Sequence, residues 1–507
     1  MAFGTGVGYV AALVKDDEVR SASFITKQMR ANAMTSFAYF NDDAEIGQLR
    51  SEEDRRMAEL KDIPKIMTDA VVAIEDNQFY NHYGVDLNGL VRAVKQKMLH
   101  EDVQTGGSTI TQQLARRVFL SLDKEDSRKA KELFLSLRLE RILSKDEILL
   151  AYLNKIPYGN GSSGYNLFGI KAAAKGIFNI DNLYDLNIAQ AAYLAGLPQL
   201  PSAYSAFTSR GSFDEAGFNK AAARQQLVLK RMLEEGKITE QQHQEALKFD
   251  LKGSLAQPQK KAYATYPFLM LEVERVAAAE LVKQLHPEIN PQTQAAVYND
   301  AIKAARAQLL RGGYRIYTTI DKTIYDKMQE IARNDNNFTK TDPKDPKKIE
   351  QIGSIMIQNR TGAILGMIEG RDFNAEQSNH ATQTLRQPGS TMKPLAAYLP
   401  ALETGAIQPA SVIDDVPVVL KDGTKNSGGI HIPRNWDTDY HGLVSARTAL
   451  KWSYNIPAIK LFLDTVGIDN AWGFVKKSSA SPRLPRKITP LRPVSSEVSN
   501  MAFPSKN

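Results

Sequence analysis

No cysteine occurs in the 507 residues, which excludes disulfides, thiolate nucleophiles and cysteine-ligated metals. No histidine or carboxylate series carries zinc-ligand spacing, and no strong nucleic-acid motif is present. Uncharged text is also short. Residues 1–14 carry no charge and stop at Lys15-Asp16-Asp17, too few to span a bilayer, which needs about 20 residues. That stretch reads as the outer end of a membrane anchor whose first half lies outside the sequence; a frayed glycine-rich tail is the plainer reading. What is present is a chain too long for one core, so two or more domains are expected. Its net charge of +7 suits an anionic lipid surface or a phosphate-bearing substrate better than nucleic acid, because the basic residues are dispersed and not striped with aromatics.

Residues 15–55 are polar and mixed, and read as a stalk. From Asp62 the text is helical to about residue 250. Pro64 suits the first turn of a helix running to about Glu75. Leu87, Leu90, Val91, Val94 and Met98 repeat at helical spacing, as do Leu133, Leu137, Ile142 and Leu143 in a helix starting near Lys124. Residues 56–250 are expected to form one all-helical domain, and 251–311 a linker. Beyond it "YRIYTTID" (314–321) and "IGSIMIQNRTGAILGMIEG" (352–370) are β-rich, the second a hairpin turning at Arg360-Thr361-Gly362. Helical text returns at 390–402 and 445–466, so 312–477 reads as a mixed α/β domain. Residues 478–507 hold seven Ser, five Pro and a single acid, Glu497, and read as disordered.

Three stretches of the helical half carry chemistry. In "VVAIEDNQFYNHYG" (71–84) an apolar helix ends on Glu75 beside Phe79. Partial desolvation there raises a carboxylate toward the range of a general base, although Asp-Glu pairs also end helices as solvated charges. In "TGGSTITQQLAR" (105–116) two glycines and a run of hydroxyl and amide side chains offer donors to an anion at a helix start, without the GK[ST] ending of a P-loop. In "SRKAKE" (127–132) Arg128 and Lys129 lie one helical turn before Glu132, where they could hold a phosphate leaving group or form an ordinary charged face.

In order and spacing these stretches resemble the glycosyltransferase family 51 domain, which polymerises bacterial peptidoglycan. "KDEILLAYLN" (145–154) and "RQQLVLKRM" (224–232) are similar to its two later motifs. The resemblance implies an all-α lysozyme-like domain. It implies Glu75 as the base that deprotonates the 4-hydroxyl of lipid II, attack on the lipid-linked growing glycan strand with inversion, and departure of undecaprenyl pyrophosphate. Glu132 would organise that pyrophosphate directly or through a divalent cation (Mg or Mn), with Arg116, Arg128 and Lys129 neutralising its charge. Asp76, His82, Gly107, Ser108, Thr109, Gln112, Gln113 and Arg224 are the other residues assigned to substrate. Two positions depart from the pattern. Arg116 stands where lysine is usual, and Leu150 replaces a glutamate that braces the family's fold. The chemical rival is hydrolysis of glycan by two carboxylates, which does not need the cationic cluster.

A second constellation follows. "RQPGSTMKPLAAYL" places Ser390 and Lys393 three apart, on one face of a helix start, where a lysine can take the serine proton. Ser453-Tyr454-Asn455 comes sixty residues later. S-x-x-K followed by S-x-N, with "NWDTDYHG" (435–442) before it, resembles the penicillin-binding transpeptidase fold, an α/β serine acyltransferase. Both domains in this order are similar to class A penicillin-binding proteins. The resemblance implies Ser390 as nucleophile, Lys393 as its base, Ser453 as proton relay and Asn455 as holder of the peptide backbone. The substrate would be a D-Ala-D-Ala stem peptide, with β-lactams and moenomycin as inhibitors. It further implies a single-anchored enzyme on the extracytoplasmic face of the cell membrane, working with other cell-wall synthesis proteins. The family's K-[ST]-G motif is absent after Asn455. The transpeptidase is therefore expected to be incomplete, the reading frame departing from the family near Lys477, with weak cross-linking and weak penicillin labelling. A non-catalytic scaffold that binds β-lactams or recruits wall-synthesis partners is the alternative.

Overall fold

The computed structural model describes residues 20–31, 33–86, 108–120, 126–339, 349–421 and 430–479, in two compact units divided between Gln383 and Thr384.

The first unit opens with helix α1 (Ala22–Arg30), capped by the Ser21 hydroxyl. Helix α2 (Lys65–Glu75) follows Pro64 and buries Met67, Ala70, Val71, Val72 and Ala73 on the face that the 3.6-residue repeat assigns to the core. It ends at Asp76, whose extended backbone turns the chain out of the helix immediately after Glu75. Helix α3 (Ile110–Phe119) and helix α5 (Lys145–Lys155) both begin on capping boxes, Thr109 with Gln112 and Ser144 with Glu147, and α4 (Asp126–Ile142) lies between them in sequence. Helices α6 (Ile170–Phe178), α7 (Ile188–Gly196), α8 (Glu215–Glu234) and α9 (Glu240–Lys248) complete the bundle. From Ala189 onward every residue of α7 is buried. It is the hydrophobic centre against which α2 and α8 pack.

Two features differ from the sequence reading. The helical half carries a small sheet, in which β3 (Glu53–Arg55) runs parallel to β5 (Asn166–Phe168), itself antiparallel to β4 (Pro157–Asn160). The segments read as a stalk and a linker are folded together. Strand β1 (Phe37–Tyr39) pairs antiparallel with β2 (Glu45–Gln48) and parallel with β6 (Arg315–Tyr317), and these pack with α10 (Pro267–Leu285), α11 (Ala295–Arg311) and α12 (Lys322–Arg333) around a core that includes Phe40, Leu49, Leu269, Leu309 and Tyr325. Polar text misleads here because its polar atoms are satisfied internally. The buried Ser36 hydroxyl donates to the Leu309 carbonyl and receives the Tyr314 N–H, and Thr35 bridges to Glu53 and Arg55. The expected hairpin is β7 (Ser354–Ile357) with β8 (Ile364–Ile368), its turn set by Gly362 at φ 75°.

In the second unit β9 (Val412–Asp415) pairs antiparallel with β10 (Gly442–Ser445), and the core gathers Ala396, Tyr398, Ala449, Ile459, Phe462 and Val475. The expected domain 312–477 is thus divided, its first part belonging to the unit that ends at Gln383. The anchor at 1–14, the helix around 87–98, Gly107 and all but the first two residues of 478–507 lie outside the described residues. Among the described residues no helix is long and apolar enough to cross a membrane.

Candidate active sites

Glu75 is the last residue of α2. The apolar face of that helix fixes it against the core, and Phe79 is fully buried beside it. Its Oε2 accepts a 2.8 Å hydrogen bond from Gln113 Nε2. Its Oε1 is shielded from solvent and takes no hydrogen bond from the described residues. Burial raises the carboxyl above its ordinary pKa; the Gln113 bond and the positive charges of Arg224 and Arg116 oppose that rise, and Asp76 adds to it. Two tyrosines that the sequence reading did not single out stand near this charge. Tyr152 donates to Gln113 Oε1 at 3.4 Å, and the buried Tyr158 hydroxyl has no partner among the described residues. Tyr152 belongs to the "KDEILLAYLN" motif, which was the available signal.

Asp76 and His82, assigned to substrate from sequence, are committed to protein partners. Gly84 N–H donates to His82 Nδ1 at 3.0 Å, so His82 Nε2 carries the proton it gives to Asp76 at 2.9 Å. Asp76 also accepts the Ile110 N–H at 3.0 Å, at the positive end of α3. Gly84 adopts φ 91°, and a Cβ there would meet the Ser136 carbonyl at 2.7 Å. Thr109 and Gln112 differ from expectation in the same way. Each closes the capping box of α3, and the Thr109 hydroxyl donates to the Gly84 carbonyl at 2.7 Å. These four residues fasten the loop after Glu75 to the helix that bears Gln113. Lys145, quoted from sequence without a role, does likewise: it donates to the His82 carbonyl at 2.7 Å and to Glu140 at 2.8 Å, and its ammonium lies 4.5 Å over the Phe79 ring. Leu150, where a bracing glutamate was expected, packs against the hydrophobic core.

Helix α3 joins the two acids. Gln113 touches Glu75, and Arg116, three residues on and so on the same face about 4.5 Å along the axis, lies 3.9 Å from Glu132. Glu132 is only 1% exposed. Lys129 Nζ is 2.9 Å from its Oε2 and Arg128 Nε 3.4 Å from its Oε1, while Lys129 also donates to Ser108 Oγ at 2.8 Å. One buried carboxylate thus gathers three cations, two of which, Arg116 and Lys129, are more than a third exposed at their side chains. No three candidate metal-ligand side chains converge among the described residues, and the three cations around Glu132 suit an anion.

In the second unit Ser390 lies in the turn Gly389–Thr391, ahead of Lys393. Lys393 is nearly buried, and its Nζ meets the Ser453 carbonyl at 2.6 Å, Ser453 Oγ at 3.2 Å and Asn455 Oδ1 at 2.5 Å. Burial lowers its pKa to about 8. Ser453 adopts φ 52°, a left-handed conformation that costs a non-glycine residue about 1–3 kcal/mol and persists only where the surroundings impose it. Asn455 gives its Oδ1 to Lys393 and one Nδ2 hydrogen to the Arg434 carbonyl at 2.6 Å, so its amide holds the lysine and keeps a second N–H donor.

Comparison with known proteins finds two families along the chain. The Transglycosylase family matches residues 42–233, and the Penicillin binding protein transpeptidase domain family matches 352–481. Penicillin-binding protein 1F of Bacillus subtilis (strain 168) is 30% identical over 450 residues, covering 89% of this chain and 56% of its own. Penicillin-binding protein 1A of Clostridium botulinum (strain Langeland) is 32% identical over 453 residues, 87% of this chain and 52% of its own. Penicillin-binding protein 1A of Streptococcus oralis is 31% identical over 464 residues, 90% of this chain and 65% of its own. The chain therefore spans between about half and two thirds of the length of these relatives.

Proposed function

Because the chain belongs to the class A penicillin-binding proteins, with both of their catalytic domains in order, we propose that its first domain polymerises lipid II into β-1,4-linked glycan strands. Glu75 takes the proton of the acceptor's 4-hydroxyl as that oxygen attacks the anomeric carbon of the lipid-linked strand. The new bond forms with inversion as the bond to pyrophosphate breaks. Arg116, Arg128 and Lys129, held together by Glu132, meet the charge that grows on the departing diphosphate. The observation that carries this reading is the pairing of a desolvated carboxyl with a cation cluster along one face of α3. Glycan hydrolysis by two carboxylates leaves that cluster without a task. The test is purified protein with lipid II, scored for glycan strands with and without moenomycin. Moenomycin-sensitive strands support the reading; new reducing ends from preformed glycan without lipid II consumption contradict it.

The second domain would acylate Ser390 with a D-Ala-D-Ala stem peptide. Lys393 takes the serine proton, and Ser453 returns a proton to the departing D-Ala amine. A neighbouring stem-peptide amine then receives the acyl group. Both reactions are assigned to the outer face of the cell membrane, alongside other wall-synthesis proteins.

A further inference from the structure

The S-x-N loop of the second unit is held in an unusual way. Its Ser453 is left-handed, and its polar atoms surround Lys393, so the lysine's environment depends on where the loop sits. One other segment, 434–441, grips that loop at several points. Asn435 Oδ1 accepts the backbone N–H of Asn455 at 2.7 Å and of Ile456 at 3.4 Å. Trp436 Nε1 donates to the Trp452 carbonyl at 2.8 Å, and the His441 ring stacks on Tyr454, with centroids 4.1 Å apart.

The gripping segment is itself anchored on one carboxylate. Asp415, at the end of β9, is wholly buried. It accepts Asn435 Nδ2 at 2.8 Å, and the His441 backbone N–H and Nδ1 at 3.0 and 2.8 Å. A buried charge is tolerated only where its lone pairs are filled in this manner. The consequence is directional. With Nδ2 bound to Asp415 and to the Asp439 carbonyl, Asn435 must turn its oxygen toward the Asn455 N–H.

We propose that Asp415 and Asn435 are positioning residues for acylation: the carboxylate orients the Asn435 amide, the amide fixes the backbone of Asn455 and Ile456, and that placement sets Ser453 and Asn455 against Lys393. The proposal deepens the acyltransfer reading and rests on it. Neither residue touches the reacting atoms.

The full chain and its Asn435→Ala, Asp415→Asn and Asp415→Ala variants test it by two measurements. Hydrogen exchange reads the loop without any acylation. Asn435→Ala is expected to speed exchange at Asn455 and Ile456 at least tenfold, with α2 and α7 of the first unit unchanged. Asp415→Asn, which keeps an acceptor for the Asn435 amide, is expected to retain most of that protection, whereas Asp415→Ala loses it. Acylation by fluorescent penicillin is expected to show at least a tenfold lower limiting rate in Asn435→Ala, with little change in the concentration that half-saturates it. Exchange at 455 and 456 within twofold of the parent in Asn435→Ala overturns the proposal. So does equal loss in Asp415→Asn and Asp415→Ala, which also decides the case if Asn435→Ala loosens the whole unit. A parent that never reacts with the penicillin contradicts the acyltransfer reading, while exchange still decides whether the strut holds the loop.

Discussion

At position 75, burial raises the proton affinity of a carboxyl while the Gln113 amide and two arginines restrain the rise. A folded-state pKa above the unfolded value means that ionising Glu75 costs native stability once the pH passes the ordinary carboxylate range. Glu75→Gln should therefore leave the melting temperature unchanged or slightly higher at neutral pH, even as it removes the base. Lys393 shows the opposite shift. Burial lowers it to about 8, so the neutral amine that accepts the Ser390 proton becomes common only as the pH rises through that value. The rate of penicillin acylation should climb about tenfold from pH 6 to pH 7 and level off above about 8. A flat profile over that range would show that Lys393 is not the base.

Among the elements, α3 carries the first site, because a single helix face presents Gln113 to Glu75 and Arg116 to Glu132. Its start is defined by Thr109, whose hydroxyl both caps the helix and donates to Gly84. Thr109→Ala should cost about 1 kcal/mol or somewhat more in denaturant unfolding, as loss of a cap does, and loosen the loop after Glu75; a change below a few tenths would show that the box is incidental. The helices were legible in the sequence because their apolar repeats are local, with α2 and α4 close to where periodicity put them. The candidate site residues were legible as far as residue type and spacing express them: Glu75, Glu132 and Lys393 each stand within a polar constellation. The sheet of β1, β2 and β6 was not, since Phe37 must find Arg315, 278 residues away through strands of three or four residues. Nor could spacing tell a donor facing substrate from one closing a helix cap. Thr109 and Gln112 are the same residue types in either task.

For the whole molecule, two sites belong to two units with separate cores. The first unit also holds a titratable group that takes no part in its candidate site. Glu369 is wholly buried, accepts from Tyr325 at 3.0 Å and Gln329 at 2.8 Å, and is pushed up to about 7, chiefly by burial. Between the ordinary glutamate value and about pH 7 the native state keeps a proton that the unfolded chain releases. Stability should therefore fall by about 3 kcal/mol as the pH rises across that window and level off above it. Glu369→Gln should flatten that slope; an unchanged slope would place the titration elsewhere. The claim on which the account depends is that the Glu75 carboxyl deprotonates a sugar hydroxyl beside the cations gathered by Glu132. The most direct measurement is the rate of glycan-strand formation from lipid II by the parent chain and by Glu75→Gln at matched folding. A loss of roughly 100- to 10,000-fold in a variant that melts at the parent's temperature or above is the result predicted. A folded Glu75→Gln protein that still makes strands within a few-fold of the parent would contradict it.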